Sequence, residues 1–221
     1  MVAQEAHRRP EEARNEPFGY TCRACSRCCK DKIIQVNPYE VARLARNRGI
    51  STTEFRVRYT DQGAGVHLSR TADTNTCVFL GPAGCTVHPD RPLVCRLYPL
   101  GRNEIPGGKE RWLHVTPHPQ SAGEYHHRGT IAGYLEAQGA GPFLNAADGY
   151  VEWVRAVTEF FADSDHTDAD IDSDLVDMDA AITAYCAKHD IPEPGDMEER
   201  RVLHMKILYS PLQTREENDG R

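Results

Sequence analysis

The hydrophobic rhythm of the chain changes part-way along. Apolar residues recur at Phe143, Ala147, Tyr150, Val154, Val157 and Phe161, at alternating steps of four and three. Ile171, Leu175, Met178, Ile182, Tyr185 and His189 step in the same way. That period lines one face of a helix, so two amphipathic helices are expected, able to pack on each other. Their stripes read as core. A further helix is expected from Asp196 to Tyr209. Nearer the start, PYEVARLARNR at 38–48 reads as a helix, with Asn37 as its cap, Pro38 in its first turn and Gly49 as its stop. Ser51 opens another, and Glu54 three residues on completes a capping-box pattern.

The stretch from Asp61 to Glu110 has no long period and many Gly, Pro, Asn and Asp residues. Short strands are expected at 32–36, 66–70, 77–80, 85–87 and 111–117, with Gly81-Pro82-Ala83-Gly84 as the turn of a hairpin. Residues 1–17 are polar and read as a loose arm. The expected fold class is α+β, a small irregular metal-stapled region of short strands and helices followed by a mainly helical part. The expected division is an arm at 1–17, a cysteine-rich domain at 18–120, a helical region at 121–215 packed on it, and a loose tail at 216–221. The first region has too little periodic apolar sequence for a large core, and a bound metal would supply the missing stability.

The composition, with 39% apolar and 27% charged residues in 221, fits a folded chain. A net charge of -7 argues against a general nucleic-acid binder, which needs a basic face to displace counterions. No apolar run approaches the roughly 20 residues of a membrane span, so no membrane association is expected. The first twenty residues hold no hydrophobic segment of the secretory kind. The expected compartment is therefore the cytoplasm. In such a reducing setting clustered cysteines point to metal or redox chemistry before disulfides.

Four cysteines fall within eight positions in YTCRACSRCCK: Cys22, Cys25, Cys28 and Cys29. The first three form C-x2-C-x2-C, the spacing that holds three corners of a [4Fe–4S] cube in bacterial ferredoxins. Either C-x2-C pair alone would also make half of a tetrahedral zinc site. Cys29 adjoins Cys28, and neighbouring residues tend to project apart, so both on one ion would be awkward. Cys77 and Cys85 flank the expected hairpin turn, and Cys95 follows the prolines of HPDRPLVCRLYPL. Seven thiols exceed what one mononuclear zinc site uses. They suit a cluster with spare cysteines or two sites in one region. Cys186 stands alone in a helical stretch and reads as a packing residue.

The ordered set C-x2-C-x2-C-C, C-x-F-L, C-x7-C and R-P-x2-C-R-x-Y-P, over about residues 20–100, resembles the YkgJ-type cysteine-cluster (CxxCxxCC) family. That family is described as zinc- or iron-chelating and includes the domain of flagellin lysine N-methylases. The resemblance implies metal chelation, with Cys22, Cys25, Cys28, Cys29, Cys77, Cys85 and Cys95 at the family's cysteine positions. The implied cofactor is an iron–sulfur cluster, [4Fe–4S] slightly favoured, or zinc. A catalytic output is left open. One alternative is a protein-modifying enzyme such as a lysine N-methylase, and another is metal trafficking or sensing. The sequence identifies no catalytic residue, protein partner or oligomeric state.

Asp90, Arg91, Arg96 and Tyr98 match the polar positions around the last cysteine. The arginines read as loop fasteners that bond carbonyls or carboxylates, before binders of an anionic substrate or neutralisers of thiolates. His88 is the better non-cysteine ligand candidate, since the spacing of His114, His118, His126 and His127 matches no motif. The run DSDHTDADIDSD at 163–174 has six aspartates but lacks the Gly and Glu of a calcium loop, and reads as a solvated linker. There is no dinucleotide fingerprint, phosphate loop, nucleophile elbow or HExxH.

Overall fold

The computed structural model of the protein describes residues 13–23, 25–63, 65–105, 109–161 and 175–219. The fold is α+β, with long helices late in the chain and strands confined to two-stranded sheets. In chain order the elements are β1 (Pro17–Thr21), α1 (Pro38–Arg48), α2 (Thr52–Tyr59), β2 (Leu80–Gly81), β3 (Gly84–Cys85), α3 (Leu93–Leu97), β4 (Leu100–Ile105), β5 (Lys109–His114), β6 (Glu124–Thr130), α4 (Ile131–Ala137), α5 (Gly141–Phe161), α6 (Met178–His189) and α7 (Met197–Asp219). They fall into two compact units, each drawn from two stretches of chain. Met1–Ile34 and Arg70–Gly141 make the first, Gln35–Ser69 and Pro142–Arg221 the second.

In the first unit β1 pairs antiparallel with β6, setting Gly19 opposite His126 and Tyr20 opposite Tyr125. The strands approach so closely that a Cβ on Gly19 would lie 2.0 Å from the His126 ring. Phe18 is buried under the edges and faces of His114, Tyr125 and Tyr134, with the Tyr134 centroid at 4.9 Å. Such edge-to-face rings supply much of the apolar burial of this small unit. A second ladder joins β4 and β5 from Leu100–His114 to Ile105–Lys109. The arm expected over 1–17 is fixed at its end: Ala13 is buried, Arg14 pairs with Glu110 at 2.6 Å, and Pro17 opens β1. Residues 1–12 lie outside the described residues.

In the second unit the caps of α1 are as expected. Asn37 accepts the Glu40 N–H at 3.0 Å, the Glu40 carboxylate accepts the Asn37 N–H at 2.9 Å, and Gly49 stops the helix at φ 70°. Ser51 accepts the Glu54 N–H at 3.1 Å, but the Glu54 carboxylate pairs with Arg58 rather than closing the box. The stripe of α5 is shifted from its expected place. It buries Phe143, Ala146, Tyr150, Trp153 and Val157, while Val154 is 52% exposed. The indole turns inward and its Nε1–H donates to the Leu208 carbonyl at 3.1 Å, joining α5 to α7.

Helix α6 begins at Met178, later than the stripe from Ile171 suggested, because Asp177 caps it by accepting the Ala180 N–H at 3.4 Å. The acidic run 163–174 lies outside the described residues. Asp177 is buried, also accepts the Thr52 hydroxyl, and faces Arg56 at 3.4 Å. Asp177→Ala is therefore expected to lower stability by about 2 kcal/mol, the loss of a cap plus charge-assisted bonds, read by urea unfolding.

His204 is fully buried on α7. Its Nε2 faces the Leu175 carbonyl at 2.7 Å, so Nε2 must carry the proton and Nδ1 accepts from the Tyr150 hydroxyl at 2.8 Å. Burial pulls this imidazole from 6.5 down to about 4. Between those values the unfolded chain binds the proton and the folded chain does not. Stability is thus complete above pH 6.5 and falls as pH drops toward 4, by about 3 kcal/mol for this group. Urea midpoints of wild type and His204→Gln across that window check it; the variant should lose the slope.

Candidate metal centre

All seven motif cysteines lie in the first unit. Cys28 and Cys29 sit on a single 3-10 turn, Arg27–Cys29, entered through Ser26 at φ 59°. The chain leaving that turn is stitched to the stretch before Cys77. The Cys29 carbonyl accepts the Cys77 N–H at 2.9 Å, Lys30 bridges Thr76, and Asp31 N–H donates to the Asn75 carbonyl at 3.0 Å. From Cys77 the chain enters the hairpin that the Gly81–Gly84 run implied. Leu80 pairs with Cys85, Gly81 with Gly84, and Gly84 takes φ 107°, open to glycine at little cost. Thr86 fastens the return, its N–H and hydroxyl donating to the Phe79 carbonyl at 2.9 and 3.1 Å. Cys95 rides on α3.

Three sulfurs share one local arrangement. Cys25, Cys77 and Cys85 each accept the main-chain N–H two residues ahead, from Arg27, Phe79 and Val87. Cys25 also accepts the Ala122 N–H at 3.5 Å and lies 3.9 Å from the Ser121 hydroxyl. Donors aimed at sulfur favour the thiolate. At Cys25 these bonds prevail and its thiol is held below its usual value. Burial outweighs them at Cys77 and Cys85, which are pushed up. A hydrogen bond from the Cys29 thiol lowers Cys28 to about 6 and raises Cys29.

Mutual charge effects run through the set. Cys25 feels Cys28, Cys29 feels Cys28, Cys77 and Cys95, Cys77 feels Cys85 and Cys28, and Cys85 feels Cys28. Six sulfurs from three segments thus share one neighbourhood. Cys22 is exposed just after β1, and its charge reaches Tyr134. Among the described residues no three Cys, His, Asp or Glu side chains already stand in a metal-binding arrangement. The donors nevertheless suit zinc or iron: soft thiols, half-buried, with amide hydrogens directed at the sulfur of several.

Residues 21–115 match the family model CxxCxxCC, described as "Putative zinc- or iron-chelating domain". The matched stretch carries all seven motif cysteines. No curated protein and no solved structure matches the chain. Among the described residues no helix is long and apolar enough to cross a membrane.

Within the matched region the arginines fasten the loop, as their sequence setting suggested. Arg96 is buried and donates to the carbonyls of Arg91 at 2.9 Å, Gln138 at 2.8 Å and Pro89. Arg91 donates to the His88 carbonyl at 2.8 Å and to Gln138 Oε1 at 2.7 Å. His88, the candidate non-cysteine ligand, faces Arg91, with its Nδ1 at 3.5 Å, and its imidazole is lowered by burial and by the Arg91 and Arg96 charges. The other histidines go separate ways. His114 stacks on Tyr125, His118 donates its N–H to the Tyr98 hydroxyl at 3.1 Å, and His126 Nδ1 accepts the Arg128 N–H at 3.3 Å. Cys186 is buried in the second unit, its Sγ 3.8 Å from the Pro192 carbonyl, in keeping with a packing role.

The sequence reading missed the residues that surround the sulfurs. Ser121 and Ala122 cover Cys25 from beyond the matched region, and the Tyr20 hydroxyl meets Ser121 Oγ at 3.1 Å. Tyr20 lies across Gly123, where a Cβ would sit 1.9 Å from its hydroxyl. Lys32 places its ammonium 3.7 Å above the Tyr98 ring. Small and polar residues in a loop carry no period, so nothing in SAG announced this contact.

Proposed function

We propose that the CxxCxxCC domain binds a polynuclear zinc or iron centre through thiolates drawn from Cys22, Cys25, Cys28, Cys29, Cys77, Cys85 and Cys95, with an iron–sulfur cluster favoured. The observation that carries this reading is the repeated N–H to sulfur contact at Cys25, Cys77 and Cys85, on segments far apart in sequence. Such donors stabilise anionic sulfur, which is the form that ligates metal. Six neighbouring thiols also exceed the four that a tetrahedral zinc ion accepts. An iron–sulfur centre would supply one-electron chemistry, and zinc would supply a structural or Lewis-acid site. The residues of this chain do three things for such a centre. The stitched 28–31 and 75–77 segments set the spacing of Cys28, Cys29 and Cys77, the hairpin returns Cys85, and Arg91 and Arg96 fix the loop that presents Cys95.

Purification without oxygen, a visible spectrum, and counts of zinc, iron and acid-labile sulfide per chain test the proposal. A brown protein with about four irons and four sulfides is the expected result. A colourless protein with two zincs keeps metal binding and rejects the cluster. A folded protein with no stoichiometric metal overturns the reading.

A further inference from the structure

Lys32 stands where a lysine is costly. Its side chain is half-buried, and burial alone disfavours the ammonium. Among the described residues it forms no ion pair with a carboxylate. Burial holds the ammonium below its usual value, and the charges of Cys28, Cys95 and Cys29 oppose that shift. Two of those cysteines are on the 3-10 turn, three residues before Lys32, and the third is on α3, which ends beside Tyr98.

Its position is also held. The ammonium sits 3.7 Å above the centre of the Tyr98 ring, a cation–π contact. Tyr98 in turn is fixed at both ends. Its hydroxyl accepts the His118 N–H at 3.1 Å, and its carbonyl accepts the Tyr134 hydroxyl at 2.7 Å. A long flexible cation would ordinarily turn its head to water. This one is seated on a braced aromatic platform that follows Cys95 in the chain, within reach of the thiolate charges.

We propose that Lys32 is the built-in counter-charge of the thiolate centre, a positioning residue that strengthens metal retention by offsetting the negative charge gathered by Cys28, Cys29 and Cys95. This rests on the metal-binding reading. Four thiolates on a divalent ion or on a [4Fe–4S] core leave net negative charge, and one fixed positive charge close by, partly shielded from water, is worth about tenfold in affinity.

The test is a titration of the reduced, metal-free full chain with Co2+ without oxygen, followed at the sulfur-to-cobalt charge-transfer band, in competition with a chelator. Wild type, Lys32→Met, Lys32→Gln and Lys32→Arg are compared, each checked for native near-UV dichroism. The expected result is the same cobalt stoichiometry in all four, with affinity about tenfold lower in the Met and Gln variants and near wild type in Arg. Raising salt should narrow the gap. Wild-type affinity in the Met and Gln variants overturns the inference while leaving metal binding intact. An Arg variant as weak as Met also overturns it, because the ammonium's shape and not its charge would then matter. If Met fails to fold, Gln, which keeps a polar side chain, carries the comparison. Wild type showing no charge-transfer band brings down the metal-binding reading itself, and this inference with it.

Discussion

Serine at Cys77, Cys85 or Cys95 is expected to abolish stoichiometric metal, whereas Cys186→Ser keeps it. The three cysteines come from different segments of the first unit, on the approach to the hairpin, on its return strand and on α3. A hydroxyl at any of them remains protonated near neutral pH and cannot replace an anionic sulfur. At Cys77 and Cys85 it would also leave the Phe79 and Val87 N–H groups facing a weaker acceptor. Structural zinc contributes about 10–16 kcal/mol of apparent free energy at pH 7, and such binding is folding free energy when the site does not persist in the unfolded chain. Here β2 and β3 are two residues each and α3 is five. Elements that short do not hold themselves. Loss of metal should therefore expose the 70–99 stretch to protease while helical dichroism from α5 to α7 persists. Metal counts and limited proteolysis of the four variants, and of wild type in chelator, check this. Full metal in Cys85→Ser would remove that residue from the ligand set. Fast release to a mild chelator with 70–99 still protected would favour a carrier of metal over a structural site.

What the sequence showed and what it hid differ in physical kind. The cap at Asn37, the stop at Gly49 and the hairpin at Gly81–Gly84 were legible because they are local: side chain, backbone angle and hydrogen bond lie within four residues. The ordered spacing of the seven motif cysteines made their gathering in one unit legible, though not which of them ligate. The shifted stripe of α5 was only half legible. Trp153 and Val154 are neighbours on the helix, and only the partner carbonyl of Leu208 decides which turns inward. The β1–β6 pair was illegible, since Glu124–Thr130 shows no alternation and buries no residue fully. Its stability comes from Phe18 and rings brought from β5 and α4. Lys32 and the Ser121–Ala122 loop were hidden for the same reason. Their roles exist only through Tyr98 and Cys25, which lie dozens of residues away in sequence.

Glu110→Ala is expected to cost about 3–5 kcal/mol, more than any single cap or surface pair in the protein. The Glu110 side chain is 4% exposed and holds two arginines at once. Arg14 donates through Nε at 2.7 Å and a terminal nitrogen at 2.6 Å, and Arg102 donates through Nε at 2.8 Å. Arg102 is itself 9% exposed, so alanine at 110 takes its carboxylate from a cation with little access to water. The desolvation of that cation adds to the lost attraction. Arg14 is 36% exposed, and Arg14→Ala should accordingly cost about 1 kcal/mol. The same site gives an acid signature. Burial pushes the Glu110 carboxyl up, but hydrogen bonds from Arg14 and the charges of Arg102 and Arg14 outweigh it, and the net displacement is downward. A lowered carboxyl contributes its stability in full above the unfolded value of 4.5 and loses it as pH falls through the folded one. Glu110→Gln, which keeps the shape and removes the charge, should thus approach wild type only below pH 4.5. Urea unfolding of the three variants at pH 7, repeated in acid, measures both effects. A cost for Glu110→Ala no larger than that for Arg14→Ala would mean that Arg102 reaches solvent when its partner is gone. The β4–β5 ladder would then owe its stability to its backbone pairing and not to this carboxylate.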